Sequence, residues 1–403
     1  MQRHSPEEIY KRNIRVFYIT EIARSLLFYV PIWVAYELQY ITLAQLPLIE
    51  AVMLGIQLVM ELPTGAFADL VGKRWTVFLG YLFFVLGGVI YVQARSFPIF
   101  LIYALFFGFG DSLISGAKEA LLYDTIKGVG KEEHYAKIHS KIAWIFQIGL
   151  AFSMVVGGVL GAISYEIAIW ATIMMTAVSA VASLFFYEPI IDTEKFTLKR
   201  YVLQTKEGFR EVLRTPYVKQ ISLFYILVGG VTWVCNLIFN MTILTQVGFT
   251  ALELGIILAI IRIVNSTVLF RGLHIGTVFT KKRTFLLLPI ILMICLLPGI
   301  VLTKWMAVIA VAGLLFGSSA RWSILGKYTN AEFSSKNRAT AISTLSMAIG
   351  IIYVIVALVS GPLMQWWGNA GIMYTLLGIF TMIFILPLGL SLRKNHSGEQ
   401  VAP

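Results

Sequence analysis

Several charged residues of this sequence lie inside long apolar stretches, where an ionisable group is costly and marks a functional candidate. Glu21 and Arg24 are three residues apart, so on a helix they share one face and can pair. That pairing is compatible with a structural ion pair or with a substrate or proton pathway. Glu50 has no opposite charge within one helical turn. Such a carboxylate either holds a proton near neutral pH, as a proton carrier must, or meets a partner on another helix or in a water-filled vestibule.

Two more charges are expected to reach the interior of the molecule. Asp111 interrupts an apolar stretch and either titrates or pairs with Arg24, which enters from the same side. Arg262 falls at the middle of its stretch. A guanidinium keeps its proton, so it needs a carboxylate, carbonyl groups or an anionic ligand as a partner. Arg262 is therefore the leading candidate for a central site.

Polar and aromatic side chains within the apolar stretches form a second set of candidates. Gln147, Trp233 and Asn236 either line a cavity or hydrogen-bond one helix to another. Signatures of enzymes are missing, since no phosphate-binding loop occurs and the five histidines lack the spacing of zinc ligands. We therefore expect no enzymatic activity, no cofactor and no bound metal.

The composition indicates that membrane-spanning helices position these residues. Hydrophobic residues make up 58% of the chain and charged residues 13%, about half of the roughly 25% found in soluble domains. A span needs about 20 mainly apolar residues, and we count twelve such runs, six on each side of a charged interval. The expected spans are residues 14–36, 42–67, 75–94, 98–118, 141–163, 165–187, 217–245, 251–272, 284–303, 305–327, 338–361 and 370–392. The sequence predicts an all-α membrane protein with twelve transmembrane helices.

Lysine and arginine residues are concentrated in alternate loops, and cytoplasmic loops carry such an excess. We therefore expect a multi-pass protein of the cell inner (plasma) membrane, with both termini and the central interval in the cytoplasm. The net charge of +11 reflects these loops, so no nucleic-acid partner is expected. The lipid bilayer is the expected surrounding, and we expect the protein to function as a monomer.

The two groups of six runs resemble one another at an offset of about 200 residues. We expect an N-terminal six-helix bundle over residues 1–188, a cytoplasmic linker over 189–215 and a C-terminal six-helix bundle over 216–403. Two pseudo-repeats of this kind are typical of transporters, which hold their substrate near the middle of the membrane.

A charged, glycine-containing stretch, ELPTGAFADLVGKRW, links the second and third runs. Its length predicts a tight helix-to-helix turn, with glycines that allow close backbone approach and a sharp change of direction. The pattern G-x-x-x-D-x-x-G-K-R resembles the loop between helices 2 and 3 of the major facilitator superfamily of secondary transporters. The residues that carry the resemblance are Gly65, Asp69, Gly72, Lys73 and Arg74.

This resemblance implies the major facilitator fold and transport by alternating access. It implies a cytoplasmic gate in which Asp69 meets the N-terminal end of helix 11 when the inner side is closed, while Lys73 and Arg74 hold the loop at the surface. The corresponding stretch of the second half, Gly272 to Arg283, keeps glycines and a basic triplet but lacks the aspartate.

Two further motifs, SGAKEALLYD and RATAIS, are similar to a mostly bacterial, drug-transporter-like branch of the superfamily. The fifth run resembles the glycine-rich motif of drug–proton antiporters, with Gly149, Gly157 and Gly158 retained. Ser153 and Met154 replace its Gly-Pro pair, which removes the kink and weakens the antiporter assignment. The small residues still predict a close helix contact.

The resemblance therefore predicts a secondary transporter of a small molecule. Our leading expectation is proton-coupled export of a drug-like or amphipathic compound. Proton-coupled uptake of a polar or anionic solute, with Arg262 as its anchor, is the alternative. A third reading is a non-transporting receptor with a transporter fold.

Overall fold

The computed structural model describes residues 4–189, 198–275, 279–335 and 337–398, and the regular structure within them is entirely helical. Ten of the described helices are long and apolar enough to cross a membrane, or eleven if one bent pair counts as a single span. These helices confirm the predicted all-α, multi-pass membrane architecture.

The chain divides into two compact units that interleave along the sequence. Unit 1 comprises Met1–Ile41, Val52–Leu198 and Ala251–Ala259; unit 2 comprises Thr42–Ala51, Lys199–Thr250 and Ile260–Pro403. The domain boundaries expected from the sequence stay a prediction. Residues 190–197, in the first part of the predicted linker, lie outside the described residues.

The first seven helices of the chain belong to unit 1, except that the third begins in unit 2. They are α1 (Pro6–Ser25), α2 (Trp33–Glu37), α3 (Leu46–Val71), α4 (Lys73–Gln93), α5 (Phe97–Lys127), α6 (Tyr135–Ile163) and α7 (Tyr165–Ser183).

Ten helices follow, with α11 shared between the units. They are α8 (Leu198–Val212), α9 (Pro216–Val234), α10 (Asn240–Gln246), α11 (Ala251–Ile275), α12 (Lys281–Leu296), α13 (Lys304–Ala320), α14 (Gly326–Ala331), α15 (Arg338–Trp367), α16 (Gly371–Phe380) and α17 (Leu386–Gly398).

The first predicted span, residues 14–36, is wrong as a continuous helix. The helix α1 starts earlier, because Ser5 and Glu8 form a capping box and Pro6 suits the first turn. It ends at Ser25, and helical structure resumes only at Trp33. Pro31 lies in the gap, and a proline there supplies no backbone N–H to carry a helix onward.

The motif between the second and third spans is more helical than predicted. Helix α3 continues to Val71, so most of the motif forms its last turns, and α4 begins at Lys73. The tight turn is the single residue Gly72, whose φ of 100° is a left-handed conformation that favours glycine. Helix α3 also bends by 54° at Pro63.

Glycines of α6 bring it close to neighbouring helices, as the sequence predicts. A side chain at Gly149 would collide with Ser25, and one at Gly157 with the backbone of Phe28, both next to α1. A Cβ on Gly158 would lie 2.8 Å from the carbonyl oxygen of Ala251 in α11. The close contact therefore survives without the Gly-Pro pair.

Three helical spans of unit 2 contain a π-helical turn, a feature that often occurs at functional sites. One π-turn joins α9 to α10, the second joins α13 to α14, and the third joins α16 to α17. These turns cover Cys235–Phe239, Arg321–Leu325 and Thr381–Ile385.

Candidate functional site

A buried carboxylate organises the charged residues of unit 1. Glu21 on α1 is only 3% exposed. Its Oε1 lies 3.2 Å from the guanidinium of Arg24, and its Oε2 receives the ammonium of Lys118 on α5. The expected pairing of Glu21 with Arg24 is therefore present, and Lys118 adds a second cation to the same carboxylate.

Asp111 lies beside this group on the same helix as Lys118. The seven-residue separation corresponds to about two turns, so both side chains project from one face of α5. The carboxylate of Asp111 interacts with the side-chain amide of Gln57 and lies in the electrostatic field of Arg24 and Lys118. We name Glu21, Arg24, Asp111 and Lys118 the charge cluster.

The charge cluster lines a chamber of about 500 Å³ within unit 1. Its walls carry four carboxylates, those of Glu21, Glu61, Asp111 and Glu119. They also carry two permanent cations, Arg24 and Lys118, together with His139 and Gln147. The chamber therefore has more acidic groups than permanent cations.

A smaller apolar pocket of about 110 Å³ shares Arg24 and Asp111 with the chamber. Six of its fourteen lining residues are aromatic; they are Tyr29, Phe84, Tyr91, Tyr103, Phe107 and Phe146. The guanidinium carbon of Arg24 lies 5.1 Å from the centre of the Phe146 ring. We name this space the aromatic pocket. A ligand that fills both the chamber and the aromatic pocket needs a charged part and an apolar part.

The basic residues of the predicted gate are held by acidic groups of unit 1. The side chain of Lys73 pairs with Asp124 near the end of α5. The carboxylate of Glu188 accepts the backbone N–H groups of Lys73 at 2.8 Å and of Arg74 at 2.9 Å, and so caps the start of α4. The side chain of Arg74 donates to the carbonyl of Leu184 at 2.5 Å.

The two glycines of the predicted gate differ in what they require. A side chain on Gly65 would meet no atom within 4 Å. The expectation that Gly65 permits a close backbone approach is therefore wrong, because the helix surface is open there. Gly72 has the positive φ that the turn needs. Asp69 is exposed near the end of α3, and its gating role stays a prediction.

Glu50 lies in unit 2 with a different set of neighbours. It is half-buried, and its carboxylate interacts electrostatically with the hydroxyl of Tyr353 on α15. The ring of Tyr353 is fully buried and lies 5.6 Å from that of Trp233. Among the described residues, no basic side chain lies within the 4.0 Å ion-pair distance of Glu50.

The remaining predicted residues are distributed over both units. Arg262 is half-buried on α11 in unit 2, and Gln147 is exposed on α6 and lines the chamber of unit 1. Asn236 is half-buried in the π-turn that follows α9. The functional roles of these three residues stay predictions.

Sequence reasoning missed several partners of the candidate residues. Lys118 falls within the SGAKEALLYD motif, and its seven-residue spacing from Asp111, about two helical turns, is the signal that both lie on one helix face. Gln57 and Tyr353 carried no comparable signal, since a single polar residue in an apolar helix does not reveal its partner. Asp124 and Glu188 are distant in sequence from Lys73, and only the fold brings them together.

Comparisons with known proteins agree with this architecture. The family model described as Major Facilitator Superfamily matches residues 17–319. The chain therefore belongs to the Major Facilitator Superfamily of membrane transporters. No curated protein sequence matches the chain.

Solved structures of transporters are similar to the chain over nearly its full length. The crystal structure of the nucleoside transporter NupG has a TM-score of 0.71 at 15% identity and covers 95% of this chain and 98% of its own. An auto-inhibited POT family peptide transporter has a TM-score of 0.70 at 14% identity, with 95% and 97% covered. A bacterial homologue of the human lysosomal transporter Spinster has a TM-score of 0.66 at 15% identity, with 96% and 95% covered. At these identities the likeness shows the fold alone.

Proposed function

We propose that the protein is a proton-coupled secondary transporter that exports a cationic amphipathic molecule in exchange for protons. One observation carries the proposal: Arg24 and Asp111 line both a chamber with excess carboxylates and an apolar pocket with aromatic walls. The proposed setting is an inner membrane with both termini in the cytoplasm.

A ligand with a cationic end and an apolar body suits these two spaces. The cation would lie near Asp111, Glu61 and Glu119, the carboxylates that are not used in the pair of Glu21 with Lys118. Aromatic faces attract cations by about 0.5 to 2 kcal/mol each. The apolar body would fill the aromatic pocket, where burial contributes about 25 cal/mol per Å².

Glu50 is our proposed proton carrier. Asp111 has Gln57, Arg24 and Lys118 around it, so two cations lie close by to compensate its charge. The described neighbours of Glu50 include the hydroxyl of Tyr353 but no ion-paired cation. A half-buried carboxylate without a cation is best neutralised by a proton, so protonation and release at Glu50 would accompany the conformational cycle.

A panel of ligands tests the substrate class on the detergent-purified full chain. Lipophilic cations should raise the melting temperature by mass action, whereas sugars and organic anions should not. Asp111→Asn should weaken the cation effect, and Glu132→Gln, an exposed acidic residue outside the chamber, should leave it intact. Stabilisation by anions or sugars alone would remove the proposal.

A proton-flux assay in reconstituted vesicles then tests the coupling and its direction. Addition of a stabilising cation on the substrate side should drive protons the opposite way. Transport of the cation with no proton movement would leave the substrate assignment standing and overturn the coupling.

Uptake of a polar or anionic solute is the second candidate. Its support is the half-buried Arg262 in the middle of α11, a position where a guanidinium suits an anionic group. Arg262→Gln should abolish stabilisation by organic anions under this alternative and leave stabilisation by lipophilic cations unchanged under the leading one.

A further inference from the structure

Arg321, another arginine of unit 2, is more deeply buried than Arg262. Arg321 is only 4% exposed and begins the π-turn between α13 and α14. Among the described residues, no carboxylate lies within the 4.0 Å ion-pair distance of its guanidinium. A buried guanidinium keeps its charge, so a group that compensates this charge is expected close by.

The neighbours of Arg321 are aromatic rings and one hydroxyl. Its guanidinium carbon lies 5.1 Å from the ring centre of Tyr225 on α9 and 4.7 Å from that of Trp322. The hydroxyl of Tyr225 interacts with the guanidinium, while the buried Nε of Arg321 has no hydrogen-bond partner within the described part of the chain. Aromatic faces attract a cation but do not accept its N–H groups as an anion does.

The helix opposite Arg321 leaves room for its side chain. A Cβ on Gly229 would lie 3.3 Å from the Cδ of Arg321, so the arginine stem passes directly over this glycine. Gly229 follows Tyr225 by four residues, one helical turn along the same face of α9. The tyrosine hydroxyl accepts a guanidinium N–H through its oxygen and keeps its own O–H for donation.

We propose that Arg321 and the hydroxyl of Tyr225 form a binding site for a small anionic group. The guanidinium N–H groups and the phenolic O–H are donors on neighbouring side chains, and this chemistry suits a carboxylate or a small inorganic anion such as chloride. The group is either part of an organic ligand or a free inorganic anion. The site does not rest on the proposed export of cations, since its residues lie in unit 2 and the chamber lies in unit 1.

Thermal unfolding of the purified full chain in different sodium salts at equal ionic strength tests the site. Gluconate serves as a bulky reference, chloride and nitrate as inorganic probes, and acetate and benzoate as carboxylate probes. Wild-type protein should melt at a higher temperature in at least one probe salt than in gluconate, with saturation as the probe concentration rises. A shift confined to carboxylates identifies an organic ligand, and a shift with chloride or nitrate identifies a free anion.

Variants separate binding from folding. Arg321→Gln should abolish the anion-induced shift, whereas Arg271→Gln, an exposed arginine on α11, should retain it. Tyr225→Phe keeps the ring and removes one donor, so it should weaken the apparent anion affinity by about ten- to a hundredfold. It serves as the decisive variant if Arg321→Gln fails to fold.

Two results would overturn the site. One is an equal anion-induced shift in wild type, Arg321→Gln and Tyr225→Phe; the other is no saturable shift in wild type with any probe. Stabilisation by lipophilic cations, measured on the same variants, belongs to the chamber and should not change. A failure of the anion site is thus distinguishable from a failure of the proposed function.

Discussion

Lys118 on α5 and Glu21 on α1 form an ion pair that joins two helices across the wall of the chamber. Only 13% of the Lys118 side chain and 4% of the Glu21 side chain are exposed. The pair therefore lies where water screens it weakly, and each partner depends on the other for compensation of its charge.

Removal of the Lys118 charge should destabilise unit 1. Lys118→Met leaves Glu21 with Arg24 alone, and we expect a loss of about 2 kcal/mol, seen as a lower melting temperature. Lys127→Met, an exposed lysine of the same helix, is the matched control. The double variant with Glu21→Gln should recover part of the loss; an unchanged melting temperature in Lys118→Met would contradict the role of the pair.

Neutralisation of Glu50 should separate substrate binding from proton movement. Glu50→Gln keeps a polar group beside Tyr353 but cannot release a proton, so proton flux in vesicles should disappear while ligand-induced stabilisation remains. Glu132→Gln is the control for a generic loss of negative charge. Proton flux equal to that of wild type would remove Glu50 as the carrier.

Two glycines of the same motif should respond to alanine in opposite ways. Gly72→Ala places a side chain at a φ of 100° and 3.2 Å from Glu188, so the protein should lose about 1 kcal/mol or more. Gly65→Ala adds a good helix former where no atom lies within 4 Å, and it should gain up to about 1 kcal/mol. Equal effects on melting temperature would contradict this reading of the turn.

Asp69 should matter for transport and not for folding. It is exposed near the end of α3, so Asp69→Asn should leave the melting temperature and membrane insertion intact while it slows transport in vesicles. Glu133→Gln provides an exposed acidic control. Undiminished transport by Asp69→Asn would show that the charge is not part of a gate.

Helix α8 carries a carboxylate, Glu211, whose contribution to stability depends on pH. Burial opposes the charge of Glu211, but hydrogen bonds from Ser334 and Asn337 and the nearby Arg214 outweigh it and lower its pKa below the ordinary value of 4.5. A lowered pKa means that the stabilisation is complete above pH 4.5 and is lost as the pH falls through the folded value. The difference in melting temperature between wild type and Glu211→Gln should therefore be constant at neutral pH and shrink only below 4.5. A difference that already shrinks above that pH would contradict the assignment.

The all-helical membrane architecture was predictable from the sequence because the length of an apolar run is a local property. Glu21 and Arg24 were predictable for the same reason, since their spacing alone puts them on one face of a helix. Lys118 and Tyr353 were not, because they reach Glu21 and Glu50 from helices distant in sequence. The break after Ser25 is not predictable from the pattern because the apolar run continues through it. The burial of Arg321 depends on its packing against α9, which the sequence alone does not reveal.

The single-residue joint at Gly72 also limits how this region can change in length. One residue turns an α-helix by about 100°, so an insertion beside Gly72 would rotate α4 about its axis relative to α5 or displace its capped end from Glu188. Gly80 of α4 and Gly110 of α5 lie in close backbone contact. A rotation of α4 would move Gly80 out of this contact. Single-residue insertions and deletions here should therefore be poorly tolerated, even though the motif lies where α3 ends and α4 begins.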